Sequence, residues 1–329
     1  MLILSFESSC DETSVAVTRN GCEVLSNEVL SQIDIFKEYG GVVPEISSRE
    51  HVKGITHVYK KALENANVTI DDIDYIAVTS GPGLIGSLLT GMNAAKTVSL
   101  NENKPLVGVN HLSGHIYAAR IDHEIKFPCL AVVISGGHTE LVVMKEDYDF
   151  NKIGSTTDDA VGEVFDKVAR ILGLPYPGGP LIDKIGKEGK PIYDLPRPMA
   201  HSNDYNFSFS GLKSAVSKLI ADLEKDGTEY KKEDIAMSFE TAVADTLYQK
   251  IKKALKEYKV KEIVVVGGSA ANSKIRETLS NGFKGVDVTF PAMKYCGDNA
   301  AMIGISAYYK IKKGEIDDMS LKASSRLDL

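Results

Sequence analysis

His111 and His115 stand four residues apart in His111-Leu112-Ser113-Gly114-His115, directly after the apolar stretch 105–109. If the segment is a helix, this spacing puts both imidazoles on one face, one turn apart, where they can hold one metal ion. The metalloprotease helix H-E-x-x-H also needs a glutamate beside its first histidine, and here that place is Leu112. Two histidines on a solvated helix surface would show the same spacing, so the pair needs a third donor. Asp298, in Cys296-Gly297-Asp298, is the candidate. Two histidines and one carboxylate with open positions suit Fe(II) or Zn, with substrate oxygens completing the shell. The competing role for Asp298 is an N-cap, which its place before Asn299-Ala300-Ala301 also fits.

A second kind of chemistry is written in glycines. Ser135-Gly136-Gly137-His138-Thr139 and Gly267-Gly268-Ser269 each follow an apolar strand. Such turns let backbone N–H groups approach a phosphate, and a following helix adds its dipole. A tight turn wants glycine for its own reasons, so one alone decides little. Two in matching places favour a nucleotide or acyl phosphate. Among the acids, Asp11 lies in the polar turn 7–13, where it can be a base, a metal partner or a turn cap. Asp158 and Asp159 read as caps of the helix that follows them. Asp166 sits on that helix in an otherwise apolar face.

Composition bounds the partners and the compartment. The chain has 329 residues, 43% of them hydrophobic, enough for two cores. Its first residues carry no basic region, so a signal peptide is not expected. No apolar run reaches membrane length. The four cysteines are scattered without metal-knuckle spacing, which suits a reducing cytoplasm. A net charge of −7 means that any nucleic-acid contact must be a local patch or a partner's contribution. Lys310, Lys312 and Lys313 are the candidate rim. The run from Lys250 to Lys261 reads as the solvated face of a helix.

The elements that must position these residues occur twice. Strands 2–6, 14–19 and 23–30 form an antiparallel start, with a hairpin at Asn20-Gly21. A helix through Val52, Ile55, Tyr59 and Leu63, a strand 73–78, the turn Ser80-Gly81-Pro82-Gly83, a helix 84–100 and a strand 106–109 follow. Strands 130–134, 141–144 and 150–154 begin the second copy. A helix with the i+4 stripe Ile235, Phe239, Val243, Leu247, Ile251 and Leu255 leads to strand 262–266, and strand 286–290 precedes the last helix. The alternation predicts an α/β protein of two lobes, each a mixed sheet covered by helices. We place the first lobe at 1–110 and the second at 111–297, with an insertion at about 156–234. The last helix, about 298–329, is expected to pack back on the first lobe. The duplication would aim Asp298 at the histidines across a central cleft.

Seven motifs in order carry a resemblance. They are Glu7-Ser8-Ser9-Cys10-Asp11-Glu12-Thr13-Ser14, Val43 to Arg49, His111 to His115, Ser135 to Thr139, Asp159 to Lys167, Tyr176 to Pro180 and Gly267 to Asn272. Together they resemble the TsaD family of tRNA adenosine threonylcarbamoyltransferases, and His138 resembles its bacterial or organellar branch. The resemblance implies a duplicated actin/Hsp70/sugar-kinase fold, and a metal, Fe(II) first and Zn or Mg next, on His111, His115 and Asp298. It also implies a threonylcarbamoyl-AMP site at Val133, Ile134, Ser135, Gly136, Gly137, His138, Asp166, Gly179, Asp183 and Asn272. The implied reaction moves the threonylcarbamoyl group to the exocyclic amine of the adenosine 3′ to the anticodon in tRNAs reading ANN codons. Asp11 is the first candidate for the base. A TsaB-like paralogue and a TsaE-like ATPase are the implied partners, with a homodimer in their absence. Two other classes remain open on residues alone: a metal-dependent (sialoglyco)protease, and an ATP-switched binding module of the Hsp70 kind.

Overall fold

The computed structural model describes residues 1–329, which form two compact units, Met1–Ile125 with Pro291–Leu329, and Lys126–Phe290. In the first unit, β1 (Leu2–Glu7), β2 (Glu12–Arg19) and β3 (Glu23–Ser31) form an antiparallel meander. The β2–β3 connection, Asn20 to Cys22, holds Asn20 and Gly21 at φ 54° and 72°, the left-handed pair of a type I′ turn, before Glu23 pairs with Arg19. A short α1 (Ile33–Phe36) and a long α2 (Pro44–Ala66) lead to β4 (Tyr75–Gly81), α3 (Ile85–Asn101), β5 (Leu106–Asn110) and α4 (His111–Ala118). β4 reaches beyond the expected 73–78 because its end still pairs with β5, Gly81 opposite Asn110.

The second unit repeats the plan. β6 (Cys129–Ile134), β7 (Thr139–Met144) and β8 (Phe150–Ser155) are antiparallel. After them come α5 (Val161–Ile171), α6 (Gly178–Gly186), α7 (Ser210–Lys225) and α8 (Lys232–Glu257). β9 (Glu262–Val266), α9 (Ser273–Gly282) and β10 (Asp287–Thr289) complete this unit, and α10 (Ala300–Lys312) returns to the first. The sheet orders are β3-β2-β1-β4-β5 and β10-β9-β6-β7-β8, one the counterpart of the other strand for strand. In each sheet the first strand pairs parallel with the fourth.

Burial explains the strand sequences. β6 is buried along its whole length, as a continuous apolar run between two helix layers should be. On α8, Ile235, Phe239, Val243, Leu247 and Ile251 are fully buried in the core of the second unit. Each such side chain contributes roughly 1.5–3 kcal/mol. The insertion is no appendage, because Phe207, Phe209, Leu212 and Val216 from it join the same core.

Residues 111–125, expected at the head of the second lobe, belong to the first unit. The reason is packing: Ala118 of α4 shares a core with Met302, Ile303 and Ala307 of α10 and with Ile3 and Ala77 of the sheet.

Candidate active site

α10 is held to the first sheet by its own beginning. Ser5 Oγ donates to the Ala300 carbonyl at 2.6 Å, Ala300 N donates to Ser14 Oγ at 2.9 Å, and Ala301 N to Asn27 Oδ1 at 3.1 Å. Its N-cap is Asn299, whose Oδ1 accepts from Met302 N at 3.1 Å. The cap role open to Asp298 is therefore filled by its neighbour, and the Asp298 carboxylate is released toward α4. Gly114 makes the approach of the two helices possible. A Cβ there would lie 2.7 Å from Ile303 Cδ1 and 3.2 Å from Met302 Cγ.

The result is a three-donor cluster inside the first unit, His111, His115 and Asp298, with ligand atoms all within 4.8 Å of one another. The expected meeting across a cleft is replaced by one between two helices of one unit. Asp298 Oδ1 lies 3.5 Å from His111 Nε2 and 3.1 Å from His115 Nε2. His115 is fully buried; its Nε2 faces the Asp298 carboxylate and its Nδ1 has no hydrogen-bond partner. An imidazole buried with so few partners is costly unless a ligand completes them.

Glu7, which the sequence reading did not single out, completes the arrangement. Its Oε2 accepts from Thr79 Oγ1 at 2.5 Å and lies 3.1 Å from His111 Nδ1; its Oε1 accepts from Ser9 N at 2.5 Å. With Nδ1 engaged by Glu7 and Ser9, the Nε2 of His111 is the nitrogen left to face Asp298. Burial works to raise the Glu7 carboxyl, but His111 holds it below the usual carboxylate range. Burial likewise opposes ionisation of Asp298, yet His111 and then His115 hold that carboxyl far down. Burial would lower His111, and Asp298 and Glu7 together push it well up. A buried carboxylate and a partly exposed one, both facing imidazoles, are the charge pattern that a divalent cation balances, so these residues fit the implied metal.

The first turn borders this cluster. Asp11 is buried, and burial followed by the charges of Asp11 and Asp298 raises the Glu12 carboxyl well above its ordinary value.

The second unit holds the glycine turns. Ser135 N donates to the His138 carbonyl at 2.8 Å and His138 N to Ser135 Oγ at 3.1 Å, which closes the β6–β7 turn on itself. Gly162 N at the start of α5 donates to the Ser135 carbonyl at 3.1 Å. Gly267 has both turn strain and crowding: its φ is 96°, and a Cβ would sit 2.5 Å from the Ile134 carbonyl. Gly136, Gly137, Gly179 and Gly268 have neither, since none is left-handed and a Cβ on any of them would meet open space. Nothing within the fold demands glycine there, which leaves room for a ligand as the physical reason.

The other expected contacts fall into two groups. Asp183 Oδ1 accepts from Ser273 N at 2.7 Å and Ser273 Oγ at 2.6 Å, and its Oδ2 pairs with Lys187 at 2.7 Å. Asn272 caps α9 through Ile275 N at 2.9 Å, and its Nδ2 donates to Glu240 Oε1 at 2.5 Å. Asp166 Oδ1 accepts from Gly178 N at 2.7 Å, fixing the start of α6. Val133 and Ile134 are fully buried in the central strand, which leaves their backbone as the part that could meet a ligand. Asp158 does not cap α5; its carboxylate accepts from Phe209 N at 2.8 Å and Ser210 Oγ at 2.8 Å at the start of α7. Asp159 pairs with Lys167 at 2.7 Å. The supposed rim lysine Lys310 turns inward, to the Gly108 carbonyl at 2.8 Å and Asp317 at 3.0 Å.

Two matched sheets of this order, each with its helices, define a duplicated α/β fold of the actin/Hsp70/sugar-kinase class. Solved structures agree: the HypF protein of T. kodakarensis aligns with 95% of this chain and 48% of its own at TM-score 0.62 and 14% identity. Component A of the (R)-2-hydroxyglutaryl-CoA dehydratase of Acidaminococcus fermentans covers 95% and 99% at TM-score 0.60 and 17% identity. The sequence profile of TsaD, tRNA N6-adenosine threonylcarbamoyltransferase, matches residues 23–305, and the chain belongs to that family. Among its relatives, the tRNA N6-adenosine threonylcarbamoyltransferase of Staphylococcus epidermidis is 50% identical over 330 residues, covering 100% of this chain and 97% of that one. The protein of the same name from Bacillus cereus is 50% identical over 331 residues, covering 100% and 96%.

Proposed function

We propose that this protein transfers the threonylcarbamoyl group from threonylcarbamoyl-AMP to the exocyclic amine of the adenosine 3′ to the anticodon in tRNAs reading ANN codons. The observation that carries the reading is the buried His111–His115 pair beside Asp298, with His111 seated on Glu7, in a chain of the TsaD family. The amine's lone pair is delocalised into the ring, so the acyl group must arrive activated as a mixed anhydride. Its carbonyl–oxygen bond to AMP breaks as the carbon–nitrogen bond forms, and the amine gives up a proton.

His111, His115 and Asp298 would hold a divalent metal, and the two-histidine, one-carboxylate set favours Fe(II) over Zn or Mg. Such an ion supplies Lewis-acid stabilisation of charge on substrate oxygens. The residues of the chain do the rest. His111 and Asp298 lie at the starts of α4 and α10, whose positive ends favour an anionic partner there. The open faces of Gly136, Gly137 and Gly179, with Ser135 and His138, would take the adenylate, with Asp166, Asp183 and Asn272 fixing the helices around it. Asp11, buried in the turn after β1, is the candidate that removes the amine proton.

The rim for tRNA is thin, with Lys310 committed internally. A partner that supplies positive surface is the better reading, and a TsaB-like paralogue and TsaE-like ATPase are the proposed ones. Val52 on α2 and Ile85 and Leu89 on α3, all exposed, give such a paralogue an apolar face in the first unit. No helix is long and apolar enough to cross a membrane, and the cytoplasm is the proposed compartment.

The test is threonylcarbamoyladenosine formation on an unmodified tRNA transcript supplied with preformed threonylcarbamoyl-AMP. His111→Ala and His115→Ala should each abolish the product and lose bound metal while keeping the fold. Metal content equal to wild type in both would sink the site. The chain alone should turn over poorly at physiological salt, and the two partners should restore it. Full activity without them would favour the homodimer mode.

A further inference from the structure

The segment after α10 turns back over the ends of β4 and β5, the strand that delivers the histidines. Asp317 forms a bridge with Leu106, and its Oδ2 accepts from Gly108 N at 2.9 Å. Lys96 Nζ donates to the Met319 and Leu321 carbonyls at 2.8 and 2.6 Å. Ser324 N donates to the Ser80 carbonyl at 2.8 Å, and Gly83 N lies 3.4 Å from the Ser325 carbonyl. Gly81 has φ 145°, and a Cβ on it would run into the Ser324 carbonyl, so this strand end is shaped around the crossing segment.

The segment finishes on Asn110. Asn110 Nδ2 donates to the carbonyls of Leu327 at 3.2 Å and Asp328 at 3.0 Å. The same side chain is the N-cap of α4: its Oδ1 accepts from Leu112 N at 2.8 Å and Ser113 N at 3.4 Å. One amide thus ties residues 327–328 to the first turn of the helix whose first residue is His111. Its two ends do different work. An aspartate could replace the cap but not the donor, because it has no N–H and its charge would face two carbonyl oxygens.

The hold is selective. Leu321 and Ala323 are the residues of this segment that pack against the core of the first unit. Beyond them the attachment is mainly hydrogen bonds to Ser80, Gly83 and Asn110, and residues 325–328 are exposed, the kind of local structure that opens at low cost. α4 is short and entirely buried, and Asn110 is its backbone cap beside the hold of Glu7 and Ser9 on the His111 ring, so a small rotation at this start moves both imidazoles relative to Asp298.

We infer that Asn110 is a positioning residue that couples the seating of residues 324–328 to the geometry of the metal centre. The inference rests on the metal reading proposed above.

The test uses the full chain, stripped of metal and titrated with Co(II), whose visible spectrum reports ligand number and geometry. Asn110→Asp keeps the cap and loses the tie. Ser324→Pro leaves Asn110 untouched and removes the N–H that anchors the segment at Ser80. Both should weaken Co(II) binding about tenfold, the lower end of what loss of an outer support costs a metal site, and both should alter the spectrum. Hydrogen exchange at Leu112 and Ser113 should quicken in Ser324→Pro although their cap is intact. Wild-type affinity and spectrum in both variants, alongside loss of binding in His115→Ala, would overturn the coupling alone. Failure of the wild type to bind Co(II), or unchanged binding in His115→Ala, would overturn the metal reading and this inference with it.

Discussion

The carboxylate of Glu7 holds the Nδ1 edge of His111 at 3.1 Å from the end of β1, 104 residues away in sequence. This contact fixes which nitrogen of His111 is free for a metal and makes that nitrogen more electron-rich. Glu7→Gln loses the charge and keeps one acceptor: its amide oxygen can serve Thr79 and His111, while its NH2 then faces the Ser9 N–H, a donor against a donor. Metal affinity of the stripped protein should fall about 10–100-fold, with a loss of stability of about 1–3 kcal/mol from the unmet buried donors. Affinity within twofold of wild type would remove Glu7 from the centre.

Gly114 tests the helix approach from the other side. A leucine there must push Ile303 and Met302 aside, an overpacking that costs about 1–3 kcal/mol. Because those residues lie on α10, the displacement should also separate Asp298 from the histidines. Gly114→Leu should therefore lower the melting temperature and weaken metal binding together. A variant destabilised but with wild-type metal affinity would show that the approach of α4 to α10 does not set the donor geometry.

The glycine turn makes the opposite prediction about stability. A valine at Gly137 meets nothing within the fold, so its melting temperature should stay close to wild type. The side chain would fill the space assigned to the adenylate. Calorimetry with a non-hydrolysable threonylcarbamoyl-adenylate analogue should show binding lost or cut at least tenfold. Unchanged affinity would move the ligand away from this turn.

Much of this was legible in the chain because it rests on local signals. The Asn20-Gly21 hairpin, the α8 stripe and the repeated strand order are short-range patterns, and each formed where expected. The His111–His115 pair was legible as a possible site, but its third donor was ambiguous while Asp298 could serve equally as the cap of the last helix. That choice is made by tertiary packing, through Ser14 and Asn27 on strands far away in sequence. Glu7 was invisible for the same reason: an acid at a strand end looks like any turn residue until the fold places His111 against it. Lys310 looked like surface because a lysine near a helix end usually is, and only the returning segment gives it Asp317. The Asp158 cap was assigned to the nearest helix, whereas its partner begins fifty residues on.

Glu240 gives a pH dependence with a definite sign. It lies on α8 with Oε1 accepting from Asn272 Nδ2, and burial raises its carboxyl to about 7, with Asn272 opposing and Asp183 reinforcing. In the unfolded chain the same group ionises near its ordinary value of 4.5. Between these values the folded state holds a proton that the unfolded state has released, so stability falls as pH rises. The stabilisation is complete below about pH 4.5 and is spent by about pH 7; at about 1.4 kcal/mol per tenfold, it amounts to roughly 3 kcal/mol. Glu240→Gln removes the titration and can still accept from Asn272. Urea unfolding at pH 5, 6, 7 and 8 should show the wild type losing stability relative to the variant up to pH 7 and no further. Parallel curves for the two proteins across that range would mean that Glu240 ionises at its ordinary value in the fold.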